Sequence, residues 1–393
     1  MRLKKQSLMQ TPAFVFIKGP VLNSYRKRNI RIMMNRKKQL KNEGRAYVCH
    51  TYYQVYVSIL KELNLPESER GKATLLLSTM STNFENMKER AESTGLFEQV
   101  LMYPERRDFP ELEQYQKDRG NIVFNMLSRI KYTKKMAELN APLLPVDMYK
   151  FRDIWVFCDA DPIGYYLNQN RIPYHAAEDA TNTIYFFDEA WSFNKGCFGL
   201  KTILSSKFNL ILVHNGYGKY CIDMEVNDIS ILKRKCPKYV EVPLRKLEDG
   251  IRPEDKDLVV RAFVRDPEDL YRRIAECGSH TDKILILTEP LCDLTVRKQL
   301  FTDLCEEYSK EGQVFIKPHP RDELNYRKEF PEYPQFDGTI PMEILNYFPD
   351  LHFKKVVGIW TEMKELRFAD EIVRLGAKFM DKYEDPSIHC DVI

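Results

Sequence analysis

The sequence predicts an α/β protein with two Rossmann-like, doubly wound domains that face each other across a cleft. Two successive series of short apolar strands and helices support this prediction, because such alternation is typical of parallel sheets covered by helices on both faces. The length of 393 residues corresponds to roughly 2.6 domains of average size. Hydrophobic residues make up 44% of the chain, which is enough for two cores and argues against a disordered protein.

The first series begins at residue 45. Short apolar runs predict strands at 46–50, 73–77, 97–103, 153–158, 172–176 and 209–214. Apolar residues at helical spacing predict helices at 53–63, 83–93, 110–140 and 163–169. We therefore predict a first domain at 45–265, with a charged connector near 260–282.

The second series predicts a domain at 283–393. Its strands are predicted at 284–288, 314–317, 355–359 and 378–380, and its helices at 295–310, 342–347 and 363–375. Ligands of doubly wound sheets bind beyond the carboxyl ends of the strands. The loops that follow the strands are therefore where we expect functional residues.

Charge is concentrated at the start of the chain. Residues 1–44 form a basic extension with twelve Lys or Arg and one acid. The chain has a net charge of +3, so the net charge of the remaining residues is −8. A total this small argues against a dedicated nucleic-acid-binding protein. The extension is either a solvated segment or a contact with anionic lipid at the inner face of the cell membrane. A homodimer stays open as a further partner.

Targeting and cysteine patterns point to the cytoplasm. No apolar run has the length of a membrane span, and the start of the chain lacks the apolar core of a signal peptide. The nine cysteines are scattered and form no C-x-x-C pair. We therefore expect a reduced, cytoplasmic protein without disulfides or structural zinc.

The strongest motif follows the strand at 314–317. His319 lies between Pro318 and Pro320, and the two proline rings make this turn rigid. Lys317 and Arg321 flank the histidine. A rigid cationic turn at a strand end suits a phosphate or a phosphate leaving group, and the alternative is a turn histidine with solvated basic neighbours.

Two further candidate residues of the second domain, Glu343 and Thr361, lie near the ends of predicted elements. Glu343 falls in the first turn of the helix predicted at 342–347, where it either stabilises the helix start or faces a ribose hydroxyl. Thr361 follows the strand at 355–359. Its hydroxyl and nearby backbone N–H groups either bind an anion or cap a helix.

Several carboxylates also follow strands. Glu178 and Asp179 follow the strand at 172–176, where one of them could act as a general base or both could be solvated. Glu289 and Asp293, after the strand at 284–288, are reserve candidates for the base. The pair formed by residues 159 and 161 has a spacing seen in metal sites, but we expect it to start a helix and expect no metal.

Together these motifs resemble those of bacterial sialyltransferases with the two-domain glycosyltransferase-B architecture, in particular glycosyltransferase family 52, the lipooligosaccharide sialyltransferase family. The acidic motif of these families is similar to residues 178–180, where Ala180 replaces a glycine. Their H-P motif matches His319 and Pro320. Their serine/threonine motif is at best Thr361, next to Trp360 where a small hydroxyl residue is usual.

The start of the first domain adds to the resemblance. Thr51 and Gln54 match a loop of the family that follows the first strand and faces the cleft, although Tyr52 replaces its proline. The resemblance spans roughly residues 45–375. It implies that Thr51, Gln54 and Glu178 lie on the acceptor side.

The resemblance implies inverting, metal-independent transfer of sialic acid from CMP-sialic acid to a hydroxyl of a cell-surface glycan of lipooligosaccharide or capsule type. No cofactor beyond the donor is implied. Asp179 would be the general base, with Asp293 in reserve. The donor would contact the following residues: Lys317, His319, Pro320, Arg321, Glu343 and Thr361.

Two alternatives remain open from the sequence. One is a glycosyltransferase of the same fold with another donor, such as UDP-glucose or CMP-Kdo. The other is a catalytically silent protein that binds or assembles glycans.

Overall fold

The computed structural model describes residues 44–84, 86–276 and 282–386. The basic extension predicted at 1–44 lies, apart from Gly44, outside the described residues. Two parallel sheets are described, one formed by residues up to 241 and the other by residues from 283 onward.

The first sheet has seven strands, all parallel, in the order β3-β2-β1-β4-β5-β6-β7. This is the strand order of a Rossmann fold, which reverses its direction of growth between β1 and β4. The strands are β1 (Arg45–Cys49), β2 (Ala73–Ser78), β3 (Phe97–Tyr103), β4 (Asp153–Phe157), β5 (Tyr174–Ala177), β6 (Cys221–Val226) and β7 (Tyr239–Glu241).

Helices connect these strands and cover the sheet. The α-helices up to residue 276 are α1 (Tyr52–Leu63), α2 (Met87–Ser93), α3 (Pro110–Gln116), α4 (Ile122–Asn140), α5 (Pro162–Gln169), α6 (Thr183–Phe186), α7 (Glu189–Ser192), α8 (Phe198–Ser206), α9 (Leu244–Asp249), α10 (Lys256–Phe263) and α11 (Pro267–Glu276). Short 3₁₀ helices lie at Glu67–Glu69, Ala141–Leu143, Met148–Lys150 and Pro253–Asp255.

The second sheet has four parallel strands in the order β11-β10-β8-β9, and it reverses direction between β8 and β10. Its strands are β8 (Lys283–Leu287), β9 (Gln313–Lys317), β10 (Phe353–Gly358) and β11 (Ala369–Arg374). Its helices are α12 (Leu294–Tyr308), α13 (Tyr326–Glu329), α14 (Ala377–Met380) and the 3₁₀ helix Met342–Tyr347. The predicted architecture of two parallel α/β sheets is confirmed.

The central strands are apolar because both of their faces are covered. Every residue of β1 and β2 is buried, as are four of the five residues of β8. Continuous runs of Val, Leu and Ile are typical of parallel strands between two helical layers. These strands end at fixed positions, which places the residues that follow them at one edge of each sheet.

The two sheets are joined by a shared apolar core. One cluster of buried side chains contains Leu77 from the first sheet, Leu287 and Phe315 from the second, and Val260 and Phe263 of α10. Helix α10 thus packs between the two halves. The domain bounds that the sequence predicts at 265 and 283 stay a prediction.

Four predicted elements differ from the structure. The single helix predicted at 110–140 is divided into α3 and α4. Residues 209–214 form no strand; instead, Ile211 and Val213 pack into a small separate apolar cluster. The helix predicted at 363–375 is replaced by β11, and the strand predicted at 378–380 is α14. Strand β11 is an edge strand with mostly exposed or half-exposed side chains, so its pattern carries little of the apolar signal that marks a buried strand.

The described part of the chain contains no helix that is both long and apolar enough to cross a membrane. All seven cysteines that the structure describes are free thiols.

Candidate active site

A cavity of about 310 Å³ lies between the carboxyl ends of the two sheets. Thr51 reaches it after β1, and Asp179 after β5. Residues 317–321, after β9, form its opposite side. The sequence-predicted residues that line this cavity are Thr51, Asp179, Lys317, His319, Pro320, Arg321, Glu343 and Thr361.

His319 is held in place by its turn. Its backbone N–H donates to the hydroxyl of Thr288 at 3.0 Å, and its Nδ1 accepts from the backbone N–H of Arg321 at 3.1 Å. A neutral imidazole whose Nδ1 accepts carries its proton on Nε2. Burial, together with the positive charges of Arg321 and Lys317, lowers the pKa of His319 to about 4. At neutral pH the ring is therefore an uncharged hydrogen-bond donor at the cavity.

Lys317 places a cationic group at the cavity. Its side chain is buried, and its Nζ donates to the carbonyl oxygens of Pro318 at 3.3 Å and Gly338 at 3.2 Å. Burial lowers the pKa of Lys317 to about 8, against the opposing effect of nearby acids. The ammonium group is thus held by carbonyl oxygens, which leaves its charge available to an anionic ligand.

Glu343 enters the cavity from the 3₁₀ helix Met342–Tyr347. Its side chain is 6% exposed. Burial raises the pKa of Glu343 to about 7, and the negative charge of Glu248 adds to this effect. Near neutral pH this carboxyl group can therefore either donate or accept a hydrogen bond, as recognition of a sugar hydroxyl requires.

Asp179 faces these groups from the first sheet. The amide Nε2 of Gln54 donates to its Oδ1 at 2.5 Å, and the Oε1 of Gln54 accepts from the backbone N–H of His50. Among the described residues, no donor contacts the second oxygen of Asp179. One oxygen is thus fixed, and the other is available to a ligand in the cavity.

Gln54 and Glu178, which are expected on the acceptor side, do not line the cavity. Gln54 is fully buried and reaches the cavity only through Asp179. Glu178 accepts from the backbone N–H groups of Ile184 at 3.1 Å and Asn227 at 2.8 Å, and burial raises its pKa to about 7. It holds together the loops that follow β5 and β6.

Asp293 is also absent from the cavity lining. Its exposed carboxylate caps α12 by accepting from the backbone N–H groups of Thr295 at 2.9 Å and Val296 at 3.0 Å. This is the ordinary role of an aspartate at a helix start. The position does not bring Asp293 to the cavity as a reserve base.

The anion site expected at Thr361 already has an occupant from the chain itself. The Oε1 of Glu289 accepts from the backbone N–H groups of residues 359–361, at 2.8–3.0 Å, and from the Thr361 hydroxyl at 2.8 Å. Thr361 still lines the cavity. In this arrangement the buried Glu289, rather than a ligand, satisfies the donors at the end of β10.

The sequence reasoning missed a charged cluster beneath Asp179. His50 follows β1, and its Nε2 lies 2.6 Å from Oε2 of Glu105 and 3.4 Å from Oδ2 of Asp161. Burial would lower the pKa of His50, but these two carboxylates outweigh it and raise the pKa to about 9. Arg107 pairs with Asp161 from the outside. His50 directly precedes the Thr51 loop, and that position is the one signal that could have revealed it.

The residues with a metal-site spacing have structural roles. Asp159 accepts from the backbone N–H groups of Asn215 at 2.7 Å and Gly216 at 3.2 Å, and from the hydroxyl of Tyr174. Asp161 belongs to the ion pairs with His50 and Arg107. Within the residues that the structure describes, no three His, Cys, Asp or Glu side chains are grouped to hold a metal ion.

No family model matches the chain, so the assignment to glycosyltransferase family 52 stays a prediction. A curated relative, an uncharacterized protein of Haemophilus influenzae, is 28% identical over 85 residues. This match covers 20% of the present chain and 27% of the relative.

Among solved structures, the chain is similar to an α/β-galactoside α-2,3-sialyltransferase from Photobacterium phosphoreum, with 12% identity and a TM-score of 0.48 over 84% of this chain and 89% of that one. It is also similar to a 2,6-sialyltransferase from a Photobacterium species, solved with CMP and lactose, with 13% identity and a TM-score of 0.49 over 84% and 71% of the two chains.

A third similar structure is the UDP-GlcNAc 2-epimerase of Neisseria meningitidis, with 10% identity and a TM-score of 0.41 over 82% of this chain and 79% of that one. At these values the likenesses identify no activity for this chain. The geometry of the site is therefore the basis for a functional proposal.

Proposed function

We propose that the protein is an inverting, metal-independent glycosyltransferase that moves sialic acid from CMP-sialic acid to a hydroxyl of a cell-surface glycan. One observation carries this proposal. A carboxylate from the first sheet, Asp179, and a neutral hydrogen-bond donor from the second, His319, line the same cavity. A direct displacement needs a base on one side of the reacting carbon and a group that stabilises the leaving phosphate on the other.

The second sheet supplies the donor side. The Nε2–H of His319 donates to the phosphate oxygens of the nucleotide, where negative charge increases as the glycosidic bond breaks. Lys317 and Arg321 add positive charge at the same edge. Glu343, with its pKa raised to about 7 by burial, is suited to bind ribose hydroxyls.

The first sheet supplies the acceptor side. Asp179 takes the proton of the acceptor hydroxyl as its oxygen attacks the anomeric carbon, and the nucleotide leaves from the opposite face with inversion. Gln54 holds one carboxylate oxygen of Asp179, so the other oxygen is the one that receives the proton. Cationic side chains at the phosphate make a metal ion unnecessary for this chemistry.

Donor assays on the full chain test the proposal. The protein is incubated with CMP-sialic acid, CMP-Kdo or UDP-glucose, with and without lactose as a model acceptor, and release of CMP or UDP is measured. We expect turnover of CMP-sialic acid and the inverted anomer in the product by NMR. Turnover of CMP-Kdo or UDP-glucose alone would establish the same-fold enzyme with another donor. Glycan binding without turnover of any donor would establish a silent glycan-binding protein.

The absence of a metal requirement is a separate prediction. We expect excess EDTA to leave the transfer rate unchanged, because Asp159 and Asp161 are already engaged by the chain's own donors and cations. Complete loss of activity with EDTA, followed by recovery with Mn²⁺, would show that the charge at the phosphate comes from a metal ion.

A further inference from the structure

A large part of the exposed apolar surface is concentrated in two segments of the first half of the chain. Nine large apolar side chains there are 40–67% exposed, out of seventeen such residues in the described part of the chain. We call them the α4–α8 surface: Ile122, Val123, Phe124, Leu127, Phe193, Leu200, Ile203, Phe208 and Leu210.

The two segments pack on each other. Met126 and Ile130 of α4 pack, together with Phe198 and Leu204 of α8, against a small buried cluster of Ala190, Ile211 and Val213. Arg129 ties the segments further, since its guanidinium donates to the Asn194 side chain and to the carbonyl oxygen of Leu212. In the sequence, each of the nine exposed residues lies within four positions of a residue that belongs to this cluster or packs against it. They therefore belong to one ordered region.

Basic residues predominate in this region, although Glu138 near the end of α4 pairs with Lys135. Residues 119–137 and 190–220 contain no Asp or Glu, whereas the rest of the chain beyond residue 44 carries a net charge of −17. The nine basic residues of the two segments are Arg119, Arg129, Lys131, Lys134, Lys135, Lys195, Lys201, Lys207 and Lys219. Because the remaining residues beyond 44 are acidic overall, this segregation favours an anionic partner.

Apolar and aromatic side chains next to lysines are typical of protein segments that lie in the interface of a membrane. The apolar groups enter the acyl boundary, and lysine stems extend so that their charges reach the phosphate groups. We propose that the α4–α8 surface docks the protein on a bilayer of anionic phospholipids. This goes beyond the proposed activity, does not depend on it, and involves a surface other than the basic extension.

The surface is separate from the cavity. None of its residues lines the cavity, and α5 lies between this region and the first sheet. Ile163 and Leu167 of α5 pack toward the sheet, whereas Tyr165 contacts Tyr132 of α4 and His214 on the other side. A docked protein would thus keep its cavity free.

Vesicle binding of the full chain tests the proposal. Co-sedimentation is measured with vesicles of phosphatidylcholine alone and of equal parts phosphatidylcholine and phosphatidylglycerol. We expect binding to the anionic vesicles only, decreasing as salt increases. Leu200→Ser with Ile203→Ser, and separately Lys195→Glu with Lys207→Glu, should each weaken binding at least about tenfold.

Matched controls change the same residue types elsewhere. Ile222→Ser with Ile372→Ser replaces exposed apolar residues outside the surface, and Lys256→Glu with Lys310→Glu reverses two exposed charges there. These variants should bind like the native chain, and all variants should keep its melting temperature. If vesicle binding of either surface double variant equals that of the native chain, the proposal is wrong. It is also wrong if the control and surface variants lose affinity equally, because that result would assign binding to the overall charge of the protein.

A second readout reports contact directly. Phe208→Trp adds a fluorophore on the surface to the three native tryptophans. Brominated lipid in the anionic vesicles should quench this variant more than the native chain, whereas Tyr149→Trp should show no quenching beyond the native level. Absence of quenching at position 208 overturns the proposal. So does a surface pair that changes the oligomeric state in gel filtration while leaving vesicle binding intact, because that result assigns the surface to a second protein molecule.

Discussion

The carboxyl edges of the two sheets carry similar charged residues but differ in how those residues are satisfied. At the first sheet most acids are held by the chain: Asp159 and Glu178 by backbone N–H groups, and Asp161 by Arg107 and His50. Asp179 alone among these four acids lines the cavity. At the first edge the chain's own donors and cations therefore hold three of the acids in a fixed frame, and one carboxylate, Asp179, faces the cavity.

The second edge presents groups whose charges are weakened by burial. The pKa of His319 falls to about 4, that of Lys317 falls to about 8, and that of Glu343 rises to about 7. Such groups change protonation or hydrogen bonding readily when a charged ligand arrives. Under the proposed function, the first edge would orient the acceptor and the second would respond to the nucleotide.

The largest expected effect is at His319. The variant His319→Asn keeps an acceptor near the Nδ1 position for the Arg321 N–H but loses the Nε2–H. We expect transfer to fall by about 1,000-fold, because a donor to a developing anion is lost. His319→Gln keeps a donor near Nε2 and should recover part of the rate. Transfer rates and melting temperatures of both variants are measured.

The control for this prediction is His352→Asn, since His352 is exposed and pairs with Asp370 at the surface. It should transfer at the native rate. Activity of His319→Asn within a few-fold of native would contradict the assignment of the second edge to the leaving phosphate.

The next effect concerns the single presented carboxylate. Asp179→Asn keeps size and the contact with Gln54 but cannot accept a proton, so transfer should fall by about 100-fold. CMP affinity, measured by calorimetry, should be unchanged. Asp293→Asn, which alters only a helix cap, serves as control. If Asp293→Asn is inactive and Asp179→Asn is active, the base belongs to the second edge and the comparison fails.

The pH dependence of the free energy of unfolding should reveal the protonation of Glu343, the buried acid of the second edge. The pKa of Glu343 is raised from 4.5 to about 7, so its contribution to stability is present below pH 4.5 and is lost as the pH rises through 7. Glu343→Gln removes this loss. Between pH 5 and pH 8 the native chain should lose on the order of 2 kcal/mol more than the variant, since one pKa unit corresponds to about 1.4 kcal/mol.

Urea unfolding at the two pH values measures this difference. The exposed Glu332 gives the control variant Glu332→Gln, which should follow the native pH dependence. An identical pH dependence in native chain and Glu343→Gln would show that the buried carboxyl does not carry the proton assigned to it.

The sequence predicts the parts of this fold that local chemistry determines. Runs such as those in β2 and β8 are buried on both faces, and their apolar patterns identify them. Strand β11 is half exposed and pairs only with β10, so its formation depends on a partner more than 10 residues away. Periodicity within a short window cannot contain that information.

The site shows the same limit. The turn at His319 is determined by its own two prolines, and in the structure it follows β9 and lines the cavity. Glu178 and Asp179 are neighbouring carboxylates with the same chemistry. Glu178 accepts from the backbone N–H groups of Ile184 and Asn227, whereas Asp179 lines the cavity. Likewise, Glu289 reaches the Thr361 loop across 72 positions. These assignments depend on donors from distant loops, which the sequence does not reveal.

The smallest expected effect is at Gln54, which joins the frame of the first edge to its carboxylate. Gln54→Met keeps length but removes the donor to Asp179, and we expect kcat to fall about tenfold, the usual effect of losing a hydrogen bond to a charged group. CMP affinity should stay unchanged, because the nucleotide contacts the other sheet.

A purely structural role of Gln54 would also lower the rate, so the same substitution must be tested in a variant that lacks the base. In Asp179→Asn there is no base left to orient, and adding Gln54→Met should cost no further activity. Equal losses in both backgrounds would mean that Gln54 supports the loop as a whole and does not position the base.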